Sequence, residues 1–69
     1  MKKLEVIIVN YNSLDWIEKV LISLYKYYIP YSKYNISITI VDNASSDNSI
    51  EFIEKNYPQI NLLRGIILH

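Results

Sequence analysis

The stretch Ile36 to Ser49, ISITIVDNASSDNS, constrains the fold more than any other part of the chain. Ile36, Ile38, Thr39, Ile40 and Val41 form an apolar, mostly β-branched run, which suits a strand buried on both faces. The character changes abruptly at Asp42. Asn43, Ala44, Ser45, Ser46, Asp47, Asn48 and Ser49 are mainly small polar residues that bond their own backbone and so make turns and helix N-caps. An apolar pattern resumes at Ile50 and reads as a helix. Strand, polar loop and helix start therefore follow one another. In open parallel sheets, ligands bind beyond the carboxyl ends of the strands. An acid at that edge is well sited to accept hydrogen bonds from a ligand.

The same grammar runs through the rest of the chain. Leu4 to Val9 reads as a first strand, again of central-strand composition. In the loop Asn10-Tyr11-Asn12-Ser13, Asn12 or Ser13 can cap the next helix, and Asp15 adds a favourable charge to its first turn. Ile17, Val20, Leu21, Leu24, Tyr25 and Tyr28 recur at helical spacing, which predicts a helix from about 14 to 28 with Ile22 as an exposed apolar spot. Pro30 is expected to stop it. A second helix is expected over about 49–56, with Ile50, Ile53 and Tyr57 buried and Pro58 ending it. Ile60 to Leu63 reads as a short third strand. The order β-α-β-α-β implies a parallel sheet with right-handed crossovers. The expected fold class is α/β, half of a doubly wound sheet with strand order 3-2-1. That order leaves the first strand at an edge although its sequence reads as central, a pairing hazard.

Bulk properties narrow the function. With 69 residues the chain is one small domain at most, and a core of that size rarely supplies more than about 3–5 kcal/mol. It has no Cys, so neither a disulfide nor a thiolate metal site can help. Seven basic residues balance seven acidic ones, which gives no overall pull on nucleic acid. Glu5 interrupts the run after Met1-Lys2-Lys3 too early for a signal peptide. No apolar run reaches the ~20 residues of a membrane span. The default placing is cytoplasmic, with any membrane association peripheral.

At this point the paired motifs become recognisable. VNYN, then about thirty residues on VDNASSDNS, resembles the beginning of a family-2 glycosyltransferase of the GT-A, Rossmann-like fold. The resemblance covers about Leu4 to Arg64, with 65–69 a divergent tail, so the whole chain reads as one partial nucleotide-sugar-binding domain. It implies a donor-binding segment for a UDP- or dTDP-sugar in an inverting transfer to an acceptor hydroxyl. It also implies nucleotide-contacting roles for Asn10, Tyr11, Asp42 and Asn43. Tyr11 would lie against the base, Asn10 would border it, and Asp42 would accept the imide N–H. Asn43 would neighbour the ribose or stand just behind. A carboxylate is a strong acceptor for such a donor. Family members typically use Mg or Mn with the nucleotide-sugar. The metal-binding Asp-x-Asp and the later catalytic carboxylate of the family are not found in this sequence. No cofactor site, no catalytic residue and no transferase activity of this chain alone are therefore expected, as for a truncated reading frame or an excised piece.

Other readings of the same residues stand beside this one. Asp42 could simply cap a turn, and Tyr11 could cover the sheet end. Asp47, Asn48 and Ser49 read as a helix cap rather than a site. Trp16 reads as a packing residue. Arg64 could contact a diphosphate, or be solvated. Tyr25, Tyr27, Tyr28, Tyr31 and Tyr34 with Lys26 and Lys33 could suggest single-stranded nucleic acid, against which stand helical spacing and the neutral charge. A non-catalytic chain that self-associates through its sheet edge or the tail Ile66-Ile67-Leu68 is a further reading. A generic nucleotide-binding module is another, but the only glycine is Gly65, which leaves no phosphate-cradling loop.

Overall fold

A computed structural model of the chain describes residues 2–65. The expected pairing of the 66–68 tail lies outside the described residues. Strand β1 (Lys3–Asn10) leads into helix α1 (Leu14–Ser23), strand β2 (Asn35–Asp42), helix α2 (Ser49–Asn56) and strand β3 (Asn61–Leu63). The sheet is parallel, in the order β1-β2-β3. β1 and β2 are paired along their whole length, from Lys3 opposite Asn35 to Asn10 opposite Asp42. β3 pairs only with the last part of β2, Thr39 to Val41.

Side chains alternate across a strand, and here the alternation separates a dry face from an open one. Ile8, Ile38 and Ile40 point to the helices and are buried with Ile17 and Leu21 of α1, Ile53 of α2 and Ile60. Both crossovers step in the same direction along the sheet. Right-handed connections then place both helices on the same side. Among the described residues, no helix covers the opposite face. There Ile7 is 65% exposed and Val9 53% exposed. Burial of the first two strands on both faces, expected from their composition, is thus corrected to burial on one. Only Thr39, flanked by both neighbouring strands, is buried on the open side.

The first helix departs from its expected course at its end. After Ser23 the chain widens into a π turn, Leu24–Tyr28, in which the Ile29 N–H donates to the Leu24 carbonyl. A 3-10 turn, Ile29–Tyr31, follows and contains Pro30. Proline has no N–H, so the carbonyl that it would have served is left without a helical donor. Here the wider turn precedes that gap and the tighter turn absorbs it, with Ile29 kept in the right-handed helical region. Pro30 therefore reshapes the helical path instead of stopping it before residue 30. The change of pitch leaves Tyr28 exposed, whereas Tyr25 turns inward and stacks on Tyr57 with ring centroids 5.2 Å apart. Phe52 meets Tyr57 edge-on at 6.0 Å. Trp16 is exposed too and is not a core residue; Ile22 is exposed, in line with its sequence position.

Leu21 is fully buried where α1 meets the sheet. Leu21→Ala is expected to cost about 2–5 kcal/mol, comparable with the whole stability of so small a core. Circular dichroism in a urea titration should show no cooperative transition for the variant; an unchanged midpoint would contradict this packing.

Candidate functional site

The carboxyl edge of the sheet is built around a pair of buried polar residues that close β1 and β2. Asn10 and Asp42 face each other in register and are 0% and 2% exposed. The Asn10 amide Nδ2 donates to Asp42 Oδ1 at 2.9 Å and to the Ser49 hydroxyl at 2.9 Å, and it lies 3.2 Å from the Ser45 hydroxyl. The other carboxylate oxygen, Asp42 Oδ2, accepts the Ser45 backbone N–H at 2.8 Å. The Asn43 N–H donates to the Asn10 carbonyl at 2.8 Å. The orientation of the Asn10 amide follows from these partners. A flipped amide would set its oxygen against a carboxylate. In the orientation present, Asn10 Oδ1 is buried without a hydrogen-bond partner among the described residues.

The two loops at this edge are stapled to each other by side chains of Asn12 and Asp47. Asn12, with φ of 46°, uses its side-chain oxygen to accept the backbone N–H groups of Ser46 and Asp47 at 2.7 and 3.1 Å. Its own N–H donates to the Ser45 hydroxyl at 2.9 Å. Asn tolerates this left-handed backbone better than most residues. Ala44 shares it, with φ of 55°, at a cost of about 1–2 kcal/mol.

Asp47 serves both helices. Its Oδ1 accepts the Ser49 hydroxyl and the Ser49 N–H at the start of α2, and its Oδ2 accepts the Leu14 N–H at the start of α1. The cap of α1 is therefore not supplied by Asn12 or Ser13, as expected from local sequence. Ser13 makes no side-chain cap bond and its hydroxyl donates to the Tyr11 carbonyl instead. The Ser49 hydroxyl, with the N–H groups of Ser49 and Leu14, holds the Asp47 carboxyl below the usual carboxylate range, against an opposing effect of burial.

What remains accessible is a rim and a cleft. Tyr11 is 58% exposed on the β1 side, and Asn43 is half-buried beside it in the β2 loop. On the other side of β2 opens a cleft of about 590 Å3 whose lining includes Asp42, Ser45, Asp47, Glu51, Glu54 and Arg64. Tyr11 does not line it. Arg64 is exposed and lies 3.7 Å from Glu54, an ion pair of the weak surface kind. Of the residues singled out in the sequence, Asn10 and Asp42 thus form the interior of the edge, and Tyr11 and Asn43 its outer rim. Ser45, Asn12 and the double role of Asp47 were not legible, because their partners lie more than thirty residues away.

The fold and edge are those of a parallel α/β segment with a polar loop beyond two adjacent strands. The chain belongs to the family described as Glycosyl transferase family 2, which matches residues 5–67. No curated protein and no solved structure matches it. Among the described residues no three His, Cys, Asp or Glu side chains gather as a metal-holding group. The acids nearest the edge, Asp42 and Asp47, already hold the loops.

Because the folded-state value of Asp47 is depressed, its contribution is fully present above the unfolded value of about 3.9 and is lost as the pH falls through the lower folded one. Asp47→Asn should lower stability near neutrality and flatten the acid limb of the stability profile. Urea melts at a series of acidic pH values would show it. A variant with the parent's acid slope would deny Asp47 this role.

Proposed function

We propose that this chain forms the base-binding side of a nucleotide-sugar donor site of the UDP or dTDP type, in the setting of an inverting transfer to an acceptor hydroxyl. The family match over residues 5–67 carries the reading. The geometry that supports it is the adjacency of Asn10 and Asp42 at one sheet edge, with Tyr11 exposed next to them. In this reading the flat face of Tyr11 supports the pyrimidine and Asn43 neighbours the ribose. Each carboxylate oxygen of Asp42 accepts one internal bond and has a further lone pair for the imide N–H, which reaches it from the cleft that Tyr11 does not line, so a base held by both requires the Tyr11 ring to swing over β2. Asn10 acts by holding that carboxylate in place.

Electrostatics limit what the edge does by itself. The cleft sets Asp42, Asp47, Glu51 and Glu54 against the single cation Arg64, and like charges oppose a diphosphate there. An inverting displacement needs a base for the acceptor hydroxyl and a counter-charge for the leaving group. No residue is assigned either role, and weak binding without transfer is the expected activity. Titration with UDP and dTDP should move the amide resonances of Tyr11 and Asn43 at millimolar concentration. Tyr11→Ala should weaken binding by about 1–3 kcal/mol with little change in stability. Absence of any shift in the parent protein would remove the binding claim.

A second reading is favoured by the uncovered sheet face. Parallel sheets are ordinarily covered on both sides, and here Ile7 and Val9 of β1 and Leu63 of β3 are exposed together. In this reading the chain self-associates through that face and the free edge of β1. Sedimentation velocity over a concentration series should then show a dimer that Ile7→Lys disperses. A parent that stays monomeric at the highest concentration would exclude it.

A further inference from the structure

We propose that the end of the molecule opposite the candidate site is a docking surface for an anionic lipid headgroup layer. No Asp or Glu occurs between Glu18 and Asp42, a stretch that contains Lys19, Lys26 and Lys33 and five of the seven tyrosines. The fold gathers most of these groups at one pole. α1 runs back over the sheet, so the π turn and the 3-10 turn lie near the amino ends of the strands. The N-terminal lysines join them there, because the Asn35 N–H donates to the Lys2 carbonyl at 2.8 Å and Lys3 pairs with Asn35. Lys2, Lys3, Lys26 and Lys33 are all exposed. So are Tyr27, Tyr28, Tyr31 and Tyr34, with Tyr31 at 81%. The balanced net charge therefore conceals a partial separation, with four exposed lysines and one acid, Glu5, toward one pole and Asp42, Asp47, Glu51 and Glu54 about the cleft at the other.

The chemistry of this pole selects its partner. Tyrosine rings with a polar tip settle at the headgroup level of a bilayer, and lysines are drawn to an anionic leaflet. Ile22 is exposed one helical turn before Lys26 and adds an aliphatic side chain. A nucleic acid has no use for such a side chain, whereas a lipid surface does. The Lys26 ammonium lies 5.3 Å from the Tyr27 ring centroid. That ring face is occupied by a cation instead of being free for a base. No helix among the described residues is long and apolar enough to cross a membrane, and the contact is of the interfacial kind. Docked in this way, the chain holds the edge bearing Tyr11 and Asp42 away from the lipid and open to water.

Co-sedimentation of the full chain with phosphatidylcholine vesicles, with and without about 30% phosphatidylserine, tests this. Binding is expected only to the anionic vesicles and should disappear in high salt. Each lysine near such a surface is worth about fivefold in partitioning, so Lys33→Glu should weaken binding at least that much. Arg64→Glu changes the net charge equally at the other pole and should leave binding unaltered. Tyr31→Ala should also weaken it, at unchanged folded circular dichroism. Binding of the parent that ignores lipid charge, no binding at all, equal losses for the two charge reversals, or tighter capture by an oligothymidylate than by vesicles would each overturn the proposal.

Discussion

The contact between the Asn10 amide and the Asp42 carboxylate is the one on which the rest of the edge depends. A buried carboxylate is tolerated only when its oxygens are hydrogen-bonded. Asp42 meets that demand with one donor from the neighbouring strand and one from its own loop. The strand-to-strand register is fixed as a consequence. A slip by one residue would turn Asn10 to the open face and leave the acid uncompensated. The Asn10 amide also bonds Ser49, and Ser49 bonds Asp47, which caps both helices. One chain of polar contacts therefore joins the ends of β1 and β2 to the starts of α1 and α2. Where the core is so small, this lattice adds directional contacts between the elements to the non-directional packing of the isoleucines.

Much of this architecture is legible in the sequence because each element carries its own local signal. The β-branched runs mark β1 and β2, the spacing of Ile17 and Leu21 marks the inner face of α1, and Pro58 closes α2. The errors share a cause. Composition reported two buried faces for β1, yet burial depends on how many layers the connections place around the sheet, and both crossovers fell on one side. Local capping rules pointed to Asn12 and Ser13. The cap came from Asp47, thirty-three residues away from Leu14, and no local rule can see such a donor. Pro30 was read through its restriction on the preceding residue, whereas a π turn followed by a 3-10 turn accommodated it. At the edge, the choice between turn-former and ligand acceptor for Asp42 was posed as exclusive. The structure shows the first role, in the bonds from Asn10 and from the Ser45 N–H.

The backbone strain is confined to the same place. Asn12 and Ala44 are the non-glycine residues with positive φ among those described, and they lie in the two loops that the polar lattice joins. Strain of this kind persists only where the surroundings over-determine it. For Asn12 the reason is visible, since the left-handed turn aims its side-chain oxygen at two backbone N–H groups of the facing loop. Ala44 has no such side chain. Its conformation is set by the neighbours on either side: Asn43 is tied by its N–H to the Asn10 carbonyl, and Ser45 by its N–H to Asp42. The loop is thus held in shape by its own hydrogen bonds.

The molecule is consequently sided in two independent senses. Along the strands, the carboxyl edge is acidic and hydrogen-bonded, and the amino edge is aromatic and carries more lysines than acids, Glu5 being the acid there. Across the sheet, one face is sealed by α1 and α2 and the other presents Ile7, Val9 and Leu63. The first asymmetry arises because parallel strands put all carboxyl ends together and because the acids and the lysine-tyrosine stretch fall in alternating segments of the sequence. The second arises because both right-handed crossovers step in the same direction along the sheet. Each follows from chain order and handedness, with no fine adjustment of side chains needed. A surface that touches lipid at the amino edge would leave the polar rim unobstructed. Contact through the apolar face would leave the carboxyl edge free. The polar rim and the lysine-tyrosine pole lie at opposite ends of the strands and share no residue, whereas the apolar face meets that pole at Lys3 of β1.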